Sequence, residues 1–308
     1  MRIVIFGGSG TFGTAMTKKL LEDEENEIII FSRNEKLQFE HKQKIHNDRV
    51  KYIIGDIRDY NAVYKELEGV DYVLLASAMK HIDKCEANPD ECRKTNIDGC
   101  INVINASIEQ KVKKLVFLST DKATNPSTIY GCSKLFVEMY CQSVDNKDTE
   151  IIRTRYGNVF GSNGSVVWIF DKLLKEGKKL TVTNPNMTRF FMSLEEAVSL
   201  VWYALYNGQH NDLWIYNNKS CTIKELADLF SNNQEIIGNR CEEKTDEALL
   251  TVNELNHSKR YGNFIRVNSN LDGEKYDEPL TSDNAERLTK EELEALLEQW
   301  RNYESISS

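Results

Sequence analysis

The stretch Gly7-Gly8-Ser9-Gly10-Thr11-Phe12-Gly13 follows the apolar segment Arg2–Phe6 and opens an amphipathic segment. Glycines at this spacing, between a strand and a helix, are typical of a dinucleotide-binding turn. The first glycine makes the turn, the second lets the backbone approach the pyrophosphate, and the third lets helix and strand pack closely. The alternative is a glycine-rich turn without a ligand. The residues predicted to contact the dinucleotide here are Gly7, Ser9, Gly10, Thr11, Phe12 and Gly13.

Short apolar segments alternate with amphipathic segments through the first half of the chain. Strands are predicted at Arg2–Phe6, Glu27–Phe31, Lys51–Ile54, Tyr72–Ala76, Lys114–Ser119 and Glu150–Arg155. Helices are predicted at Thr14–Glu22, Ala62–Leu67, Asp90–Gln110 and Tyr130–Val144, and later at Val166–Glu176, Leu194–Asn207 and Ile223–Asn232. This alternation predicts an α/β fold, a Rossmann-type doubly wound parallel sheet.

The rhythm changes after about residue 157, which predicts a smaller C-terminal substrate-binding lobe. We therefore expect a dinucleotide-binding domain over residues 1–156, to which part of the later chain returns. Residues 157–308 are expected to form mainly the substrate lobe, followed by a charged, solvated helix over Leu288–Arg301.

Composition excludes several classes of protein. The net charge of −9 argues against a nucleic-acid or anionic-membrane partner, since both favour a basic surface. No apolar run approaches the roughly 18 residues of a membrane span, and the chain starts directly with a strand, so we expect a cytoplasmic enzyme. The seven cysteines are odd in number and form no C-x-x-C pair, so neither a disulfide framework nor a metal site is expected.

Residues that follow the next strands predict the identity of the dinucleotide. Ser32 and Arg33 stand where an acidic residue would accept the ribose 2′-hydroxyl, and a guanidinium suits a 2′-phosphate. This favours NADP over NAD, although Arg33 as a solvated side chain would leave NAD possible. Further cofactor contacts are predicted after the third and fourth strands, at Asp56, Ile57, Ala76, Ser77 and Ala78.

A second group of polar residues follows the fifth strand. Tyr130 and Lys134 are four residues apart on a predicted helix, so they share one face. A nearby ammonium lowers the pKa of a phenol and makes it usable as a base near neutral pH. Thr120 is expected to orient a substrate alcohol beside Tyr130. The plain alternative is an ordinary tyrosine–lysine pair on a helix surface.

Together these motifs resemble the extended short-chain dehydrogenase/reductase superfamily. Further stretches resemble its inverting (5-epimerising) UDP-N-acetylglucosamine 4,6-dehydratases. They are Ala78-Met79-Lys80-His81, Lys94-Thr95-Asn96-Ile97, Ser119-Thr120-Asp121-Lys122-Ala123, Tyr130-Gly131, Arg155-Tyr156-Gly157-Asn158-Val159-Phe160-Gly161-Ser162 and Met187-Thr188-Arg189-Phe190. The resemblance runs from Met1 to about Leu250.

The resemblance implies a hydro-lyase reaction. Tyr130 removes the O4 proton while NADP⁺ takes the C4 hydride, C5–H and C6–OH are eliminated as water, and the hydride returns to C6. Asp121 would be the acid for the C6 hydroxyl, and Lys122 the C5 base, provided that burial or a neighbouring charge keeps it partly neutral. Inversion at C5 gives UDP-2-acetamido-2,6-dideoxy-β-L-arabino-hexos-4-ulose. Retaining nucleotide-sugar 4,6-dehydratases typically carry Asp-Glu at this place. The alternative interpretation is that Asp121 and Lys122 form an ordinary ion pair in a loop, without a catalytic role.

The resemblance also implies the substrate contacts, which are Met79, Lys80, Asn158, Arg189, Arg240 and Glu243. Glu247 is a second candidate, beside Glu243, for the uridine ribose. Each of these residues also fits a solvated side chain. The sequence departs from the family pattern at Asn163, Trp168 and Cys241, which puts the exact sugar in doubt. A homo-oligomer, a dimer or a larger ring such as a hexamer, is expected. A retaining 4,6-dehydratase, a 4-epimerase and a 4-ketoreductase are the alternative activities.

Overall fold

The computed structural model describes residues 1–144, 148–239, 243–269, 271 and 276–307. The strands are β1 (Arg2–Phe6), β2 (Glu27–Ser32), β3 (Val50–Ile54), β4 (Tyr72–Leu75), β5 (Lys114–Leu118), β6 (Glu150–Arg155), β7 (Asn158–Val159), β8 (Leu180–Val182), β9 (Thr188–Met192), β10 (Leu213–Tyr216), β11 (Lys219–Thr222), β12 (Gln234–Ile236), β13 (Ala248–Leu250), β14 (Ser258–Tyr261), β15 (Phe264–Val267) and β16 (Leu280–Thr281). The α-helices are α1 (Thr11–Leu20), α2 (Glu35–Ile45), α3 (Tyr60–Glu66), α4 (Ile82–Ala87), α5 (Pro89–Cys92), α6 (Gly99–Glu109), α7 (Ile129–Ser143), α8 (Val166–Lys175), α9 (Leu194–Asn207), α10 (Ile223–Asp228) and α11 (Lys290–Ser307).

The central sheet has nine strands in the order β14-β15-β10-β6-β5-β4-β1-β2-β3. Its strands from β3 to β10 run parallel, and β15 and β14 add an antiparallel edge. This topology confirms the predicted Rossmann-type α/β fold. Three strands of the sheet, β10, β14 and β15, come from the chain after residue 156.

Both faces of the sheet are covered, which is why its central strands are apolar without interruption. Ile3 and Ile5 of β1 lie in one core with residues of α1 and α9. Their neighbours Val4 and Phe6 point to the other face and lie in a second core with residues of α6 and α7. The carboxyl ends of the parallel strands therefore meet along one edge, where a ligand is expected in this fold.

One predicted helix is interrupted. The apolar segment Asp90–Gln110 forms α5, then a π-helical segment over Arg93–Asp98, and only then α6. The wider π turn carries Asn96, whose buried side chain is hydrogen-bonded outside the helix. A π segment inserts one extra residue into a helix and leaves the composition of the helix unchanged. The amphipathic pattern of the sequence therefore does not predict where this segment lies.

The lobe has its own core, and α11 belongs to it. Leu293, Leu297 and Trp300 of α11 are buried with residues of α8, β8 and β9. The expectation of a solvated C-terminal helix is therefore wrong: one face of the helix is charged, but the apolar stripe on the other packs against the lobe. In the described part of the chain, no helix combines the length and the apolar character needed to cross a membrane.

Trp300 occupies a place that only a glycine leaves open. Gly161 has a φ of +67°, and a Cβ added there would lie 2.0 Å from the Trp300 ring. The indole of Trp168 packs edge-on against Trp300, at 5.3 Å between ring centroids, and donates to the Gly161 carbonyl at 2.9 Å. Trp168, one of the departures from the family pattern, thus forms one packing unit with α11.

We expect Trp300→Ala to destabilise the protein by about 3–5 kcal/mol, because it removes a buried indole and leaves a cavity beneath Gly161. The midpoint of urea unfolding measures this loss. Glu298→Ala, on the exposed face of the same helix, is the matched control and should change stability by no more than about 0.5 kcal/mol. Equal midpoints for both variants would contradict this account of α11.

Candidate active site

The glycine turn is built around two close backbone contacts. Gly7 has a φ of +81°, its N–H donates to the Phe31 carbonyl at 2.8 Å, and a Cβ on it would lie 2.8 Å from the Ser77 nitrogen. A Cβ on Gly13 would lie 2.1 Å from the Gly8 carbonyl oxygen, so helix α1 rests directly on the turn.

Gly10 differs from the other two glycines of the motif. Its nearest neighbour for an added Cβ is the Gly7 carbonyl oxygen at 3.7 Å, which is ordinary contact. Within the described chain, no side chain caps α1 at Gly10. The first N–H groups of Thr11, Phe12 and Gly13 therefore form the kind of helix N-terminus that binds a diphosphate. The residues present fit a dinucleotide.

The side of the turn expected to bind adenosine holds a network of hydroxyl and guanidinium groups. Ser9 donates to the Ser32 hydroxyl at 2.9 Å. The half-exposed Arg33 approaches Asp56 only to 3.5 Å, whereas Arg58 contacts Asp56 at 2.6 and 2.9 Å. Burial raises the pKa of Asp56, but Arg58 and Arg33 lower it by more, so the net pKa lies below its ordinary value.

The small residues after β4 lie beside this turn. The Ala76 N–H donates to the Phe6 carbonyl at 2.9 Å, which places Ser77 against Gly7 and brings Ala78 next along the edge. Ile57 is buried against Gly99 of α6. The contacts of these residues and of Asp56 with a dinucleotide stay predictions.

The residues after β5 form a buried acid–base pair. Lys122 donates from Nζ to Asp121 Oδ1 at 3.0 Å and to Asn158 Oδ1 at 3.2 Å. Thr120 donates to the same Asp121 oxygen at 2.8 Å. Asp121 is fully buried, and its other oxygen, Oδ2, has no hydrogen-bond partner among the described residues.

The role of Lys122 as a base requires a partly neutral amine, and this condition is not met in the resting structure. Burial lowers the pKa of its ammonium, but the carboxylates of Asp121 and Glu247 raise it by more, so the net pKa lies above its ordinary value. Lys122 is therefore charged at neutral pH. Its role as the C5 base stays a prediction, and that role requires that it first pass a proton to another group.

Tyr130 and Lys134 lie buried on α7, at the spacing that the sequence predicted. Lys134 donates to the Leu118 carbonyl at 2.8 Å and lies over the Phe117 ring, and burial lowers the pKa of its ammonium. The expectation that Lys134 lowers the pKa of Tyr130 is wrong for this structure. Burial, then Tyr156 and Asp121, raise the pKa of the phenol, and the hydrogen bond with Thr120 lowers it by less.

Asn96 links the loop after β4 to the catalytic helix. It accepts from the Met79 N–H at 2.7 Å, donates to the Met79 carbonyl at 2.9 Å, and also donates to the Ser133 hydroxyl at 3.1 Å. Met79 and the exposed Lys80 thereby lie next to the helix that carries Tyr130. Asn96 lies in one of the motifs that carry the resemblance, but no local pattern predicts this linking role.

Arg189 contacts backbone in this structure. Its guanidinium donates to the Thr188 carbonyl at 2.7 Å, the Lys244 carbonyl at 2.8 Å and the Thr245 carbonyl at 2.9 Å. A phosphate contact by Arg189 stays a prediction, as does a substrate contact by the half-buried Glu243. Arg240 lies outside the described residues.

Glu247 lies beside Lys122, and its contact with a uridine ribose stays a prediction. Its carboxylate is buried, 4.0 Å from Lys122 Nζ and 2.5 Å from Lys244 Nζ. A second buried ion pair fixes the catalytic helix, since Arg155 of β6 contacts Glu138 of α7 and donates to the Leu249 carbonyl at 2.9 Å. Neither contact has a local sequence signal, because each joins segments far apart in the chain.

A dinucleotide turn, together with Tyr-x-x-x-Lys on the helix after β5, is the arrangement of the short-chain dehydrogenase/reductase class. Within this class, the sequence model of the polysaccharide biosynthesis protein family matches residues 3–269. The chain belongs to that family.

Relatives with names and structures are similar over nearly the whole chain. The UDP-glucose 4-epimerase of Rickettsia canadensis is 38% identical over 322 aligned positions, which cover 96% of this chain and 94% of the relative. The X-ray structure of Pen from Bacillus thuringiensis is 34% identical, with a TM-score of 0.91 and 97% of each chain covered. DesIV, a dTDP-glucose 4,6-dehydratase from Streptomyces venezuelae solved with NAD and TYD, has a TM-score of 0.70 at 20% identity, over 80% of this chain and 87% of DesIV, and shares the fold.

The glycines allow binding and folding to be separated. We expect Gly10→Ala to weaken dinucleotide binding at least tenfold with little loss of stability. The protein itself has room for the added methyl group, but that group would clash with a diphosphate bound at the helix N-terminus. Titration of NADPH fluorescence and thermal unfolding measure the two effects. Gly13→Ala is the contrast and should lose both, because its methyl group meets the Gly8 carbonyl. Unchanged affinity in Gly10→Ala would contradict the assignment of the turn.

Proposed function

We propose that this protein is an NADP-dependent UDP-N-acetylglucosamine 4,6-dehydratase that inverts C5. The observation that carries the proposal is the buried contact between Lys122 and Asp121, close to Tyr130 through Thr120. A dehydratase needs a base for the C5 proton and an acid for the C6 hydroxyl, in addition to the group that acts on O4. The described site holds three such groups.

The bound dinucleotide supplies a hydride acceptor for C4 and a hydride donor for C6. Tyr130 is the proposed acceptor of the O4 proton, and Thr120 lies within hydrogen-bond distance of its phenol. NADP is proposed over NAD because Arg33 is half-exposed and makes only one long contact, to Asp56, so it is able to reach a 2′-phosphate beside Ser9 and Ser32.

The elimination of water across C5 and C6 uses the one proton that Lys122 and Asp121 share. Transfer of that proton from Lys122 Nζ to Asp121 gives a neutral amine and a carboxylic acid, the two forms that the step requires. The amine takes the C5 proton, and the acid protonates O6, which leaves as water. The pair thus returns to ammonium and carboxylate when the step is complete. Protonation of C5 on the opposite face, by the proton that Tyr130 took from O4 and passes on directly or through a water, inverts that centre.

The substrate contacts belong to the same proposal. Met79 and Lys80 contact the hexose, since Asn96 holds their loop against the catalytic helix. Asn158 accepts a hydrogen bond from Lys122 and is proposed to contact the nucleotide diphosphate. Arg189, Glu243 and Arg240, the last outside the described residues, are proposed for the UDP moiety. Residues 1–156 serve as the dinucleotide domain and 157–308 mainly as the substrate lobe.

A UDP-sugar 4-epimerase is the second candidate. The names of the Rickettsia relatives favour it. Such an enzyme needs Tyr130 at O4 and a cofactor that returns its hydride to C4, but it has no use for a second acid–base pair. The buried Asp121 and Lys122, whose burial costs free energy, argue for the dehydratase.

The two reactions differ at C5. We expect UDP-N-acetylglucosamine in D₂O, without added reductant, to give a 6-deoxy-4-keto sugar with deuterium at C5, because the C5 proton is lost to Lys122 and replaced from solvent. Proton NMR shows this as a C6 methyl signal without coupling to H5. A product changed only at C4, without solvent deuterium, would establish the epimerase instead, and an unchanged configuration at C5 would establish a retaining dehydratase.

Lys122→Ala should reduce deuterium incorporation at C5 by at least a hundredfold, because it removes the proposed base, while the affinity for NADPH stays the same. The same NMR assay and a fluorescence titration measure the two. Lys290→Ala, at the exposed first residue of α11, is the control and should match the wild type. Normal deuterium incorporation in Lys122→Ala would remove Lys122 from this role.

A further inference from the structure

We propose that Glu247 is a positioning residue that holds the Lys122 ammonium beside Asp121 and keeps one proton on this pair between turnovers. The proposal rests on the function proposed above. It gives the segment around residue 247 a role in acid–base chemistry, where the sequence had suggested nucleotide recognition.

The geometry places Glu247 at the pair and away from solvent. Its side chain is 5% exposed, and Oε1 lies 4.0 Å from Lys122 Nζ. Oε2 lies 2.5 Å from Lys244 Nζ. Lys244 in turn donates to the Thr124 carbonyl at 3.1 Å, two residues after Lys122. The lysine and glutamate therefore connect the segment before β13 directly to the turn that carries the acid and the base.

The backbone around Glu247 is fixed from two sides. The Glu247 N–H donates to Ser282 Oγ at 2.8 Å, and the Ser282 N–H donates to the Glu247 carbonyl at 2.8 Å. Arg189 holds the carbonyls of Lys244 and Thr245. A buried carboxylate costs free energy unless it is paired, and packing alone would be served better by an apolar side chain. A carboxylate held this firmly beside Lys122 therefore points to an electrostatic role.

The charges that face Lys122 explain what Glu247 does. Asp121 and Glu247 attract the ammonium, and Arg189 repels it. Lys244 partly neutralises Glu247 from the far side. Because the net pKa of the Lys122 ammonium lies above its ordinary value, the pair of Lys122 and Asp121 retains one proton around neutral pH. That is the proton which Asp121 needs when it acts as the acid.

This predicts how the pH range of activity depends on Glu247. The alkaline limit is set by loss of the pair's only proton, which Lys122 carries at rest. An adjacent negative charge raises the affinity of Lys122 for this proton, so Glu247→Gln should move the alkaline limit to lower pH. For an opposite charge about 4 Å away we expect a shift of about 1–2 pH units.

The test is the pH profile of C5 deuterium incorporation from D₂O into UDP-N-acetylglucosamine product, for the wild type, Glu247→Gln and the surface control Glu298→Gln. An acid shift of the alkaline limit in Glu247→Gln alone supports the proposal, with NADPH affinity as a measure of an intact turn. A slower reaction with an unshifted profile overturns it, since that result indicates a structural role only.

Glu247→Asp covers the case in which Glu247→Gln does not fold. It keeps the charge but draws it back by one methylene, so the alkaline limit should move in the acid direction by less than 1 pH unit. An unshifted profile in this variant also overturns the proposal. Failure of the proposed function gives a different result, because the wild type itself would then incorporate no deuterium at C5 or would give a product of unchanged configuration at C5.

Discussion

The contact between Gly13 and the Gly8 backbone is the constraint on which the rest of the site depends. Without a Cβ at residue 13, helix α1 rests on the turn that leaves β1, and its N-terminus points along the edge where the parallel strands end. Every other functional group is then placed relative to this edge by the loop that follows its strand. The tyrosine helix follows β5, and Asn158 follows β6.

The chemistry of the site depends on keeping charge out of water. Lys134 lies in an apolar setting over an aromatic ring, whereas Lys122 lies between two carboxylates. Two lysines twelve residues apart thus have pKa values moved in opposite directions, by burial in one case and by ionised neighbours in the other. One side of the site therefore carries the proton that Lys122 and Asp121 share. On the other side, Lys134 donates a hydrogen bond to a backbone carbonyl.

Much of the fold could be predicted, because most strands and helices follow from the spacing of apolar residues within short segments of the chain. The strands β1 and β6 and the helix α9 begin and end where their apolar periodicity does. The glycine turn and the spacing of Tyr130 and Lys134 are local as well. The π segment around Asn96 was not predictable, since an added residue in an apolar helix leaves its composition unchanged.

The parts of the site that sequence reasoning missed are long-range. Glu247 reaches Lys122 across more than a hundred residues of chain, and the state of Lys122 depends on that contact. A pattern around residue 122 alone could not reveal whether its amine is neutral or charged. The buried face of α11 was also missed, because the apolar residues of α8, β8 and β9 that cover it lie far from it in the chain.

The junction of Trp300 with Gly161 has a consequence for how the chain folds. The dinucleotide half is joined by contacts between strands close in sequence, such as β1 with β2 and β2 with β3. The lobe core is completed only when residue 300 returns to residue 161, a closure that costs more chain entropy and slows assembly. The two halves should therefore acquire their native structure in order, with the dinucleotide half first and the lobe limited by the arrival of its last helix.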